Sequence, residues 1–310
     1  MLNLFKIVFF IIFCITPISS ICSIEPDASS ETSTLKRYNL SVCAIFKNEF
    51  LHLKEWIEYH RLVGVDHFYL YDTKSGDRYL EILNPYIKRG IVTLINWHEY
   101  TGYQDENTVF IWSLTTQVAA YENAVKVLAG KDTKWLVFLD VGEFLVPAQG
   151  CTLTDLLEKY DEYPGVTFAT DFFDASKLDK LGRKKLLIEA LELKNAPKVN
   201  LEKQVTKTIF KPDLCRGFTW APYKCRFKGE EKEVMLSKNE LRINQYLNRN
   251  PGYLNFGKRK NKLHIDNRML SDEEVKQLLD EGYEIEDQER AIYRFVPEML
   301  RKMGLKSISE

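Results

Sequence analysis

The sequence predicts an α/β protein with a mainly parallel β-sheet flanked by helices. Four buried, strand-like runs alternate with stretches whose apolar residues recur at helical spacing, and this alternation is typical of βαβ units. Polar residues follow three of the runs, at Asn48-Glu49, at Asp72 and at Asp140. Because the carboxyl ends of parallel strands meet at one edge of a sheet, we expect these side chains to lie together.

The first half of the chain supplies the regular elements. Strands are predicted at residues 40–46, 67–71, 91–97 and 135–139, and helices at residues 53–63, 79–86 and 111–128. Gly64 follows the first helix, at a position where a helix C-terminus favours glycine. His52, His60 and His67 lie on this first helix and the second strand, and we interpret them as structural side chains.

The second half is less regular and reads as mixed α+β. A helix is predicted at residues 153–160, strands are predicted at residues 165–170, 206–210 and 242–246, and residues 171–185 are predicted to form a polar loop. We expect this part to wrap the edge of the sheet. Ser271 to Glu274 form a capping box, and residues 266–310 are assigned to a C-terminal helical extension.

The N-terminus has the layout of a secretory signal peptide or a signal-anchor. Lys6 precedes a short apolar run, and small residues follow within residues 1–23. Residues 24–37 are rich in Ser, Thr, Glu, Asp and Pro and read as a flexible linker. The protein is therefore expected in the secretory pathway or the cell envelope, either exported or associated with a membrane through this segment. In that oxidising setting Cys215 and Cys225 could pair, whereas Cys43 is expected in the core.

Composition and motifs narrow the classes of function. The 310 residues carry a formal net charge of -1, so no electrostatic argument favours nucleic acid as a partner. Neither a dinucleotide-binding glycine motif nor a P-loop is present. Acids at a sheet edge without a glycine-rich phosphate loop suit a nucleotide-sugar site in which a divalent ion holds the diphosphate. The alternative is that Asp140 and Glu143 serve only ordinary turn chemistry.

Three blocks of sequence carry a family resemblance. Residues 43–60, 64–72 and 135–147 resemble, in order and spacing, the glycosyltransferase family 92 or DUF23-like group. Looser blocks at residues 187–189, 207–212 and 242–246 extend the resemblance over residues 38–260. It implies a GT-A-like, Rossmann-type fold, to which we assign residues 38–265.

The resemblance also implies a function. It predicts transfer of a hexose, with galactose as one candidate, from a UDP-sugar donor to a glycan or other lipid or protein acceptor, with inversion and with Mn²⁺ or Mg²⁺. Carried over by position, Asn48 and Glu49 would lie at the nucleotide and Asp72 at the uridine portion. Asp140 would contact the ribose or the metal, and Gln117 on the long helix is a further donor-site candidate.

Three polar positions depart from the family pattern. Gly142 stands where the family has the second Asp of an Asp-x-Asp-Glu-Phe motif, Gln245 replaces a His, and Tyr223 replaces another His. The remaining candidate metal ligands are Asp140, Glu143 and Gln245. A lost carboxylate ligand lowers the affinity for a divalent ion. Two outcomes fit: Glu143 turns inward and the transferase has weak or altered metal dependence, or the protein binds a nucleotide sugar or glycan without turnover.

The catalytic base is not assigned by the pattern. Inversion requires a carboxylate or similar base near the acceptor hydroxyl. Asp171 and Asp174, just past a predicted strand, are candidates, and solvated loop acids are the alternative interpretation of both. A third hypothesis is a secreted α/β adhesion or effector module without a small ligand.

Overall fold

A computed structural model describes most of the chain from residue 35 onward. The described residues are 35–97, 116–148, 150–175, 186–189, 198–199, 204–218, 225–229, 232–247, 264–265, 268–269 and 287–305. The expected leader, most of the linker, residues 111–115, Tyr223 and the capping box at residues 271–274 lie outside them. No helix within the described residues combines the length and the apolar character required to span a bilayer.

A ten-stranded mixed sheet forms the centre of the protein. Its strands are β1 (Tyr38–Phe46), β2 (His67–Asp72), β3 (Val92–Asn96), β4 (Thr133–Phe138), β5 (Glu143–Pro147), β6 (Gly165–Asp174), β7 (Lys198–Val199), β8 (Val205–Phe210), β11 (Val234–Met235) and β12 (Leu241–Leu247). Two small ladders join β9 (Cys215–Phe218) to β10 (Cys225–Phe227) and β13 (His264–Ile265) to β14 (Arg268–Met269).

The strand order positions the carboxyl ends of the parallel strands. The main path through the sheet is β3-β2-β1-β4-β8-β6-β12-β5. Strands β1 to β4 pair in parallel, β8 is antiparallel to both β4 and β6, and β12 is parallel to β6. Strand β5 is antiparallel to β12. Consequently β1 to β4, β6 and β12 point one way, and β5 and β8 begin at the edge where those strands end.

Within the described residues, five α-helices longer than one turn and several shorter or tighter segments flank the sheet. The five helices are α1 (Leu53–Leu62), α2 (Tyr79–Lys88), α3 (Val118–Asn123), α4 (Leu153–Lys159) and α5 (Val296–Met303). A π-helical segment, Ala124–Ala129, continues α3, and a 3₁₀ segment, Asp287–Phe295, precedes α5. Helix α1 ends before Gly64, whose φ of 111° is accessible to glycine but costly for other residues. Thr152 and Asp155 form a capping box at the start of α4.

Two apolar layers cover the two faces of the sheet. The larger layer packs α1, α2, α4 and the 287–303 region against the sheet, and Trp56, Leu83, Leu156, Ile292 and Met299 are among its members. The smaller layer packs α3 and the π-helical segment on the other face, and Tyr121, Phe138, Phe210 and Cys225 are among its members. Helices on both faces of the sheet confirm the predicted α/β class.

Two expectations about the second half of the chain are wrong. Residues 171–174, expected in a polar loop, form the end of β6, because the backbone of Asp171 pairs with Asn244 of β12 and its carboxylate accepts a hydrogen bond from Lys238 at 2.6 Å. The second half also does not simply wrap the sheet edge. Strands β6, β8, β12 and β5 extend the sheet itself from β4 outward, because each buries apolar residues against the same core.

Candidate active site at the carboxyl edge of the sheet

The edge where the parallel strands end collects most of the residues singled out in the sequence. Asp72 is the last residue of β2 and lies level with Phe46 at the end of β1. Asp140 follows β4 by two residues, and Glu143 begins β5. These placements agree with the expectation that acids from separate strands meet at one edge, which is where open α/β sheets bind ligands.

Asn48 joins the loop after β1 to the loop after β2. Its backbone adopts a left-handed conformation with φ of 56°, which asparagine tolerates better than most residues. The Asn48 N–H donates to Ser75 Oγ at 2.9 Å, and Asn48 Oδ1 accepts from the Gly76 N–H at 2.7 Å. Asp77 Oδ2 accepts from the Phe50 N–H at 2.8 Å. Asn48 therefore shapes the edge of the site by fixing two loops against each other.

Asp72 is a buried carboxylate held by its own loop. Its side chain is 7% exposed, and Oδ1 accepts from the Ser75 N–H at 2.9 Å. Oδ2 accepts from the Tyr79 hydroxyl at 3.0 Å, at the start of α2. Each carboxylate oxygen can accept a second hydrogen bond, so Asp72 retains capacity for a ligand donor group.

Glu49 and Gln117 lie close to the same edge but in different surroundings. The Glu49 carbonyl accepts from the N–H groups of His52 and Leu53 and so starts α1, while its side chain is half-buried. Gln117 is buried and donates from Nε2 to the Tyr121 hydroxyl at 3.2 Å. Their placement is compatible with two contributions: support of the surrounding structure, and direct contact with a ligand.

A tight turn connects β4 to β5 and carries the altered motif. The Glu143 N–H donates to the Asp140 carbonyl at 3.0 Å, and the Asp140 N–H donates back to Glu143 Oε2 at 2.8 Å. The Gly142 carbonyl accepts from the Tyr246 N–H of β12 at 2.9 Å, and the Glu143 carbonyl accepts from Trp56 Nε1 at 2.8 Å. Asp140 itself is half-buried at this edge.

Glu143 forms a buried ion pair with Lys207. The Lys207 ammonium on β8 donates to Glu143 Oε2, and the two side chains are 3% and 2% exposed. Burial raises the pKa of Glu143 to about 7, which Lys207 opposes and the nearby Asp140 reinforces. The Glu143 carboxylate is thus engaged by two donors beneath the site.

The remaining candidates divide between the two faces of the sheet. Gln245 on β12 lies directly opposite Glu143 and beside Phe172, whereas Asp171 lies beside Asn244. Because successive residues of a strand alternate between faces, Asp171 projects to the face opposite Gln245 and Glu143. Asp174 is the last residue of β6, so its backbone reaches the same edge as Asp140.

A divalent ion finds a poor set of ligands among these residues. Asp140 offers one carboxylate, Gly142 offers none, Gln245 offers only a neutral amide, and the Glu143 carboxylate is paired with Lys207. Within the described residues, no three His, Cys, Asp or Glu side chains come together in a way that could hold a metal ion. The described residues therefore do not fit the expected Mn²⁺ or Mg²⁺, which prefers several oxygen ligands.

His60, His67 and Cys43 occupy structural positions. His60 is fully buried, and burial lowers its pKa to about 3. His67 bridges the Gly90 carbonyl and Thr93 Oγ1 at 3.0 and 2.9 Å. Cys43 is buried, and Cys215 and Cys225 are free thiols that donate to the Gly217 carbonyl at 3.6 Å and to the Arg226 carbonyl at 3.5 Å. Pairing of Cys215 with Cys225 in an oxidising compartment stays a prediction.

Sequence reasoning missed the role of Lys207 and of the loop residues Ser75 and Tyr79. Lys207 lay in a noticed block, but nothing local signals that it meets Glu143, because the two are 64 residues apart in the chain. The signal that could have suggested it is a lysine between Val205 and Ile209 on one face of the strand, since a lysine on an apolar face requires a buried partner.

The comparison with protein families decides the relationship. Residues 36–283 match the family model of glycosyltransferase family 92, which is more than half of the chain. The chain belongs to glycosyltransferase family 92. This confirms the family resemblance read from the three sequence blocks, and with the sheet topology it confirms the GT-A-like α/β fold class.

Individual relatives of this family 92 protein are distant. A family 92 protein of Oryza sativa subsp. japonica is 28% identical over 131 residues, which cover 42% of this chain and 20% of the relative. The galactan beta-1,4-galactosyltransferase GALS3 of Arabidopsis thaliana is 28% identical over 155 residues, which cover 47% of this chain and 28% of the relative. The chain thus spans less than a third of the length of these curated relatives.

Solved structures show only a remote likeness. The structure of S. aureus TarS residues 1–349 has a TM-score of 0.38 and 13% identity, covering 67% of this chain and 60% of that one. The same protein in complex with UDP has a TM-score of 0.38 and 12% identity, covering 85% of this chain and 72% of that one.

Proposed function

We propose that this family 92 protein is a glycosyltransferase that transfers a hexose from a nucleotide-sugar donor to a glycan or other acceptor. The observation that carries the proposal is the family match over residues 36–283 combined with Asp72 and Asp140 at the carboxyl edge of the parallel strands. UDP-galactose is the first donor to test, because one distant relative is named a galactosyltransferase. Inversion, the glycan acceptor and a location in the secretory pathway or cell envelope are parts of the same proposal.

The change at Gly142 determines what we propose about the metal ion and the acidic contact to the donor. The carboxylate that Gly142 lacks is not replaced by Glu143, whose carboxylate is buried with Lys207. Donor binding is therefore proposed to depend on Mn²⁺ weakly, and Asp140 is proposed as the principal acidic contact to the donor. Asp171 and Asp174 stay candidates for the base, with Asp171 the weaker one because its carboxylate contacts Lys238.

A second candidate function is binding of a nucleotide sugar or glycan without turnover. The specific observation in its favour is the concerted change of Gly142 and Gln245, two polar family positions that lie near Glu143 in the structure. The apolar scaffold around them is intact, with Phe144, Leu145 and Val146 fully or almost fully buried. Such a protein would retain the donor cleft and lose the chemistry.

The experiment is a panel of UDP-sugars, with and without Mn²⁺, measured by thermal shift and by release of UDP. An active transferase gives both a shift and UDP release, and both fall in Asp140→Ala. The matched control is Glu162→Ala, an exposed acid in the turn before β6 at the opposite edge of the sheet, which should change neither readout. Binding without turnover gives a shift and no release.

A panel in which no donor gives either signal would contradict both ligand-based functions and favour the adhesion or effector module. Gly142→Asp provides a second test, since it restores the family carboxylate at this turn. If the site is otherwise whole, the variant should gain Mn²⁺-dependent donor binding. An unchanged response would count against substitution of a single ligand as the reason for weak metal dependence.

A further inference from the structure

One hydrogen-bonded chain links the inner strand β8 to the turn that carries Asp140. Lys207 Nζ donates to Glu143 Oε2, and the same oxygen accepts from the Asp140 N–H at 2.8 Å. The Glu143 N–H returns a hydrogen bond to the Asp140 carbonyl at 3.0 Å. The backbone of Asp140 is therefore fixed on both its donor and its acceptor side by a single residue.

Glu143 can hold this position because Lys207 neutralises it. Both side chains are almost completely buried, at 3% exposure for Lys207 and 2% for Glu143. A carboxylate taken out of water is stable there only when it is paired and hydrogen-bonded. Without the lysine, the buried carboxylate would either take up a proton, which makes it a weaker acceptor, or move towards solvent, so the hydrogen bond from the Asp140 N–H is weakened in both cases.

Lys207 is too deeply buried to contact a donor sugar itself. Its strand lies between β4 and β6, and its Cα pairs with Phe168 of β6. Its contact with Glu143 Oε2 connects it to the turn that carries Asp140. The half-buried Asp140 carboxylate is the group at the end of that chain of contacts.

We propose that Lys207 is a positioning residue, which acts through Glu143 to hold the Asp140 carboxylate in place for the nucleotide-sugar donor. The inference rests on the proposed function, because it assigns Asp140 to donor binding. It extends that function to a buried residue on the inner strand β8. In this proposal the attraction between Lys207 and Glu143 serves to keep Glu143 Oε2 beneath the turn, where it accepts the hydrogen bond from the Asp140 N–H.

The test uses the full chain with three changes at the pair. Lys207→Met removes the counter-charge, and UDP affinity measured by calorimetry is expected to fall about tenfold, the equivalent of one lost hydrogen bond. The double variant Lys207→Met/Glu143→Gln leaves no buried charge and keeps an amide oxygen for the Asp140 N–H. It should recover UDP affinity to within about threefold of the wild type.

The double variant Lys207→Met/Glu143→Leu separates positioning from folding. It also leaves no buried charge but offers no acceptor, so it should stay about tenfold weaker for UDP while unfolding in urea like the glutamine double variant. The control is Lys134→Met, which removes a half-exposed lysine paired with Asp161 at 2.9 Å near the opposite edge. UDP affinity in this control should match the wild type.

Hydrogen exchange at the Asp140 amide gives a readout independent of the donor. Exchange should be faster in Lys207→Met and in the leucine double variant, and slow again in the glutamine double variant. Equal exchange in all variants, or equal recovery of UDP affinity in both double variants, would overturn the positioning role. If the wild type binds no UDP-sugar, the proposed function fails, and any role for Lys207 in donor binding fails with it. Hydrogen exchange at the Asp140 amide then reports only whether Lys207 and Glu143 fix the turn.

Discussion

Glu55 offers a test of how burial of a carboxylate in α1 affects the stability of the whole fold. Its side chain is 4% exposed, and Oε1 accepts from the Ile188 N–H at 3.2 Å. Burial raises its pKa from 4.5 to about 7, opposed by the N–H groups of Leu187 and Ile188 and reinforced by Glu189. The folded protein therefore keeps this proton at pH values where the unfolded chain has released it.

The sign of the effect follows from that difference in pKa. Below pH 4.5 both states carry the proton, and between 4.5 and about 7 only the folded state does, so Glu55 makes the free energy of unfolding decrease as the pH rises. At about 1.4 kcal/mol for each unit of pKa, the loss at and above neutral pH is about 3 kcal/mol. Glu55→Gln keeps an oxygen for Ile188 and removes this loss.

The assay is urea unfolding of the wild type and Glu55→Gln at about pH 5 and about pH 8. The stability difference in favour of the variant should grow by about 2.5 kcal/mol over that range, because part of the loss has already occurred at pH 5. Glu58→Gln is the matched control on the same helix. Burial alone would raise the pKa of Glu58, but hydrogen bonds from Tyr86 and Lys302 lower it below its usual value. The Glu58→Gln variant should therefore lose stability relative to the wild type as the pH rises. A difference for Glu55→Gln that is constant with pH would refute the reasoning.

Two further substitutions test packing at the two edges of the sheet. Gly165→Ala should lower the free energy of unfolding by about 1–3 kcal/mol, because a Cβ there would lie 2.8 Å from Phe227 Cζ. The control is Gly76→Ala, whose Cβ would have no atom within 4 Å. It should leave the free energy of unfolding unchanged in the same urea titration. Trp56→Phe removes the indole N–H that donates to the Glu143 carbonyl at 2.8 Å. The free energy of unfolding should fall by about 1–3 kcal/mol. A thermal unfolding midpoint equal to that of the wild type would contradict this role of Trp56.

The first half of the fold could be predicted because its pattern is local. Strands β1 to β4 are mostly apolar runs, and α1 repeats buried residues such as Leu53, Trp56 and Ile57 at helical spacing. The placement of Asp72 and Asp140 at one edge followed from parallel pairing, which the β1 register with β2 and β4 confirms.

The second half resisted prediction because its strands are stabilised by distant partners. Asp171 reads as a loop residue, yet it lies inside β6 because Lys238, 67 residues later in the chain, contacts its carboxylate. The acidic position is compatible with a buried strand only when that partner is present. Residues whose environment depends on such pairing carry no local signal of their structure.

The sequence by itself determined the α/β class, the family and the convergence of acids at the edge of the sheet, because alternating apolar runs and the order of motifs are properties of the linear chain. It also identified Gly142 as the position where a carboxylate is missing. Only the tertiary structure decided that Glu143 does not fill that gap, because β8 inserts between β4 and β6 and brings Lys207 into contact with the Glu143 carboxylate. The partner of a buried charge can lie on a strand far away in the sequence, and the topology of the sheet decides which strand that is.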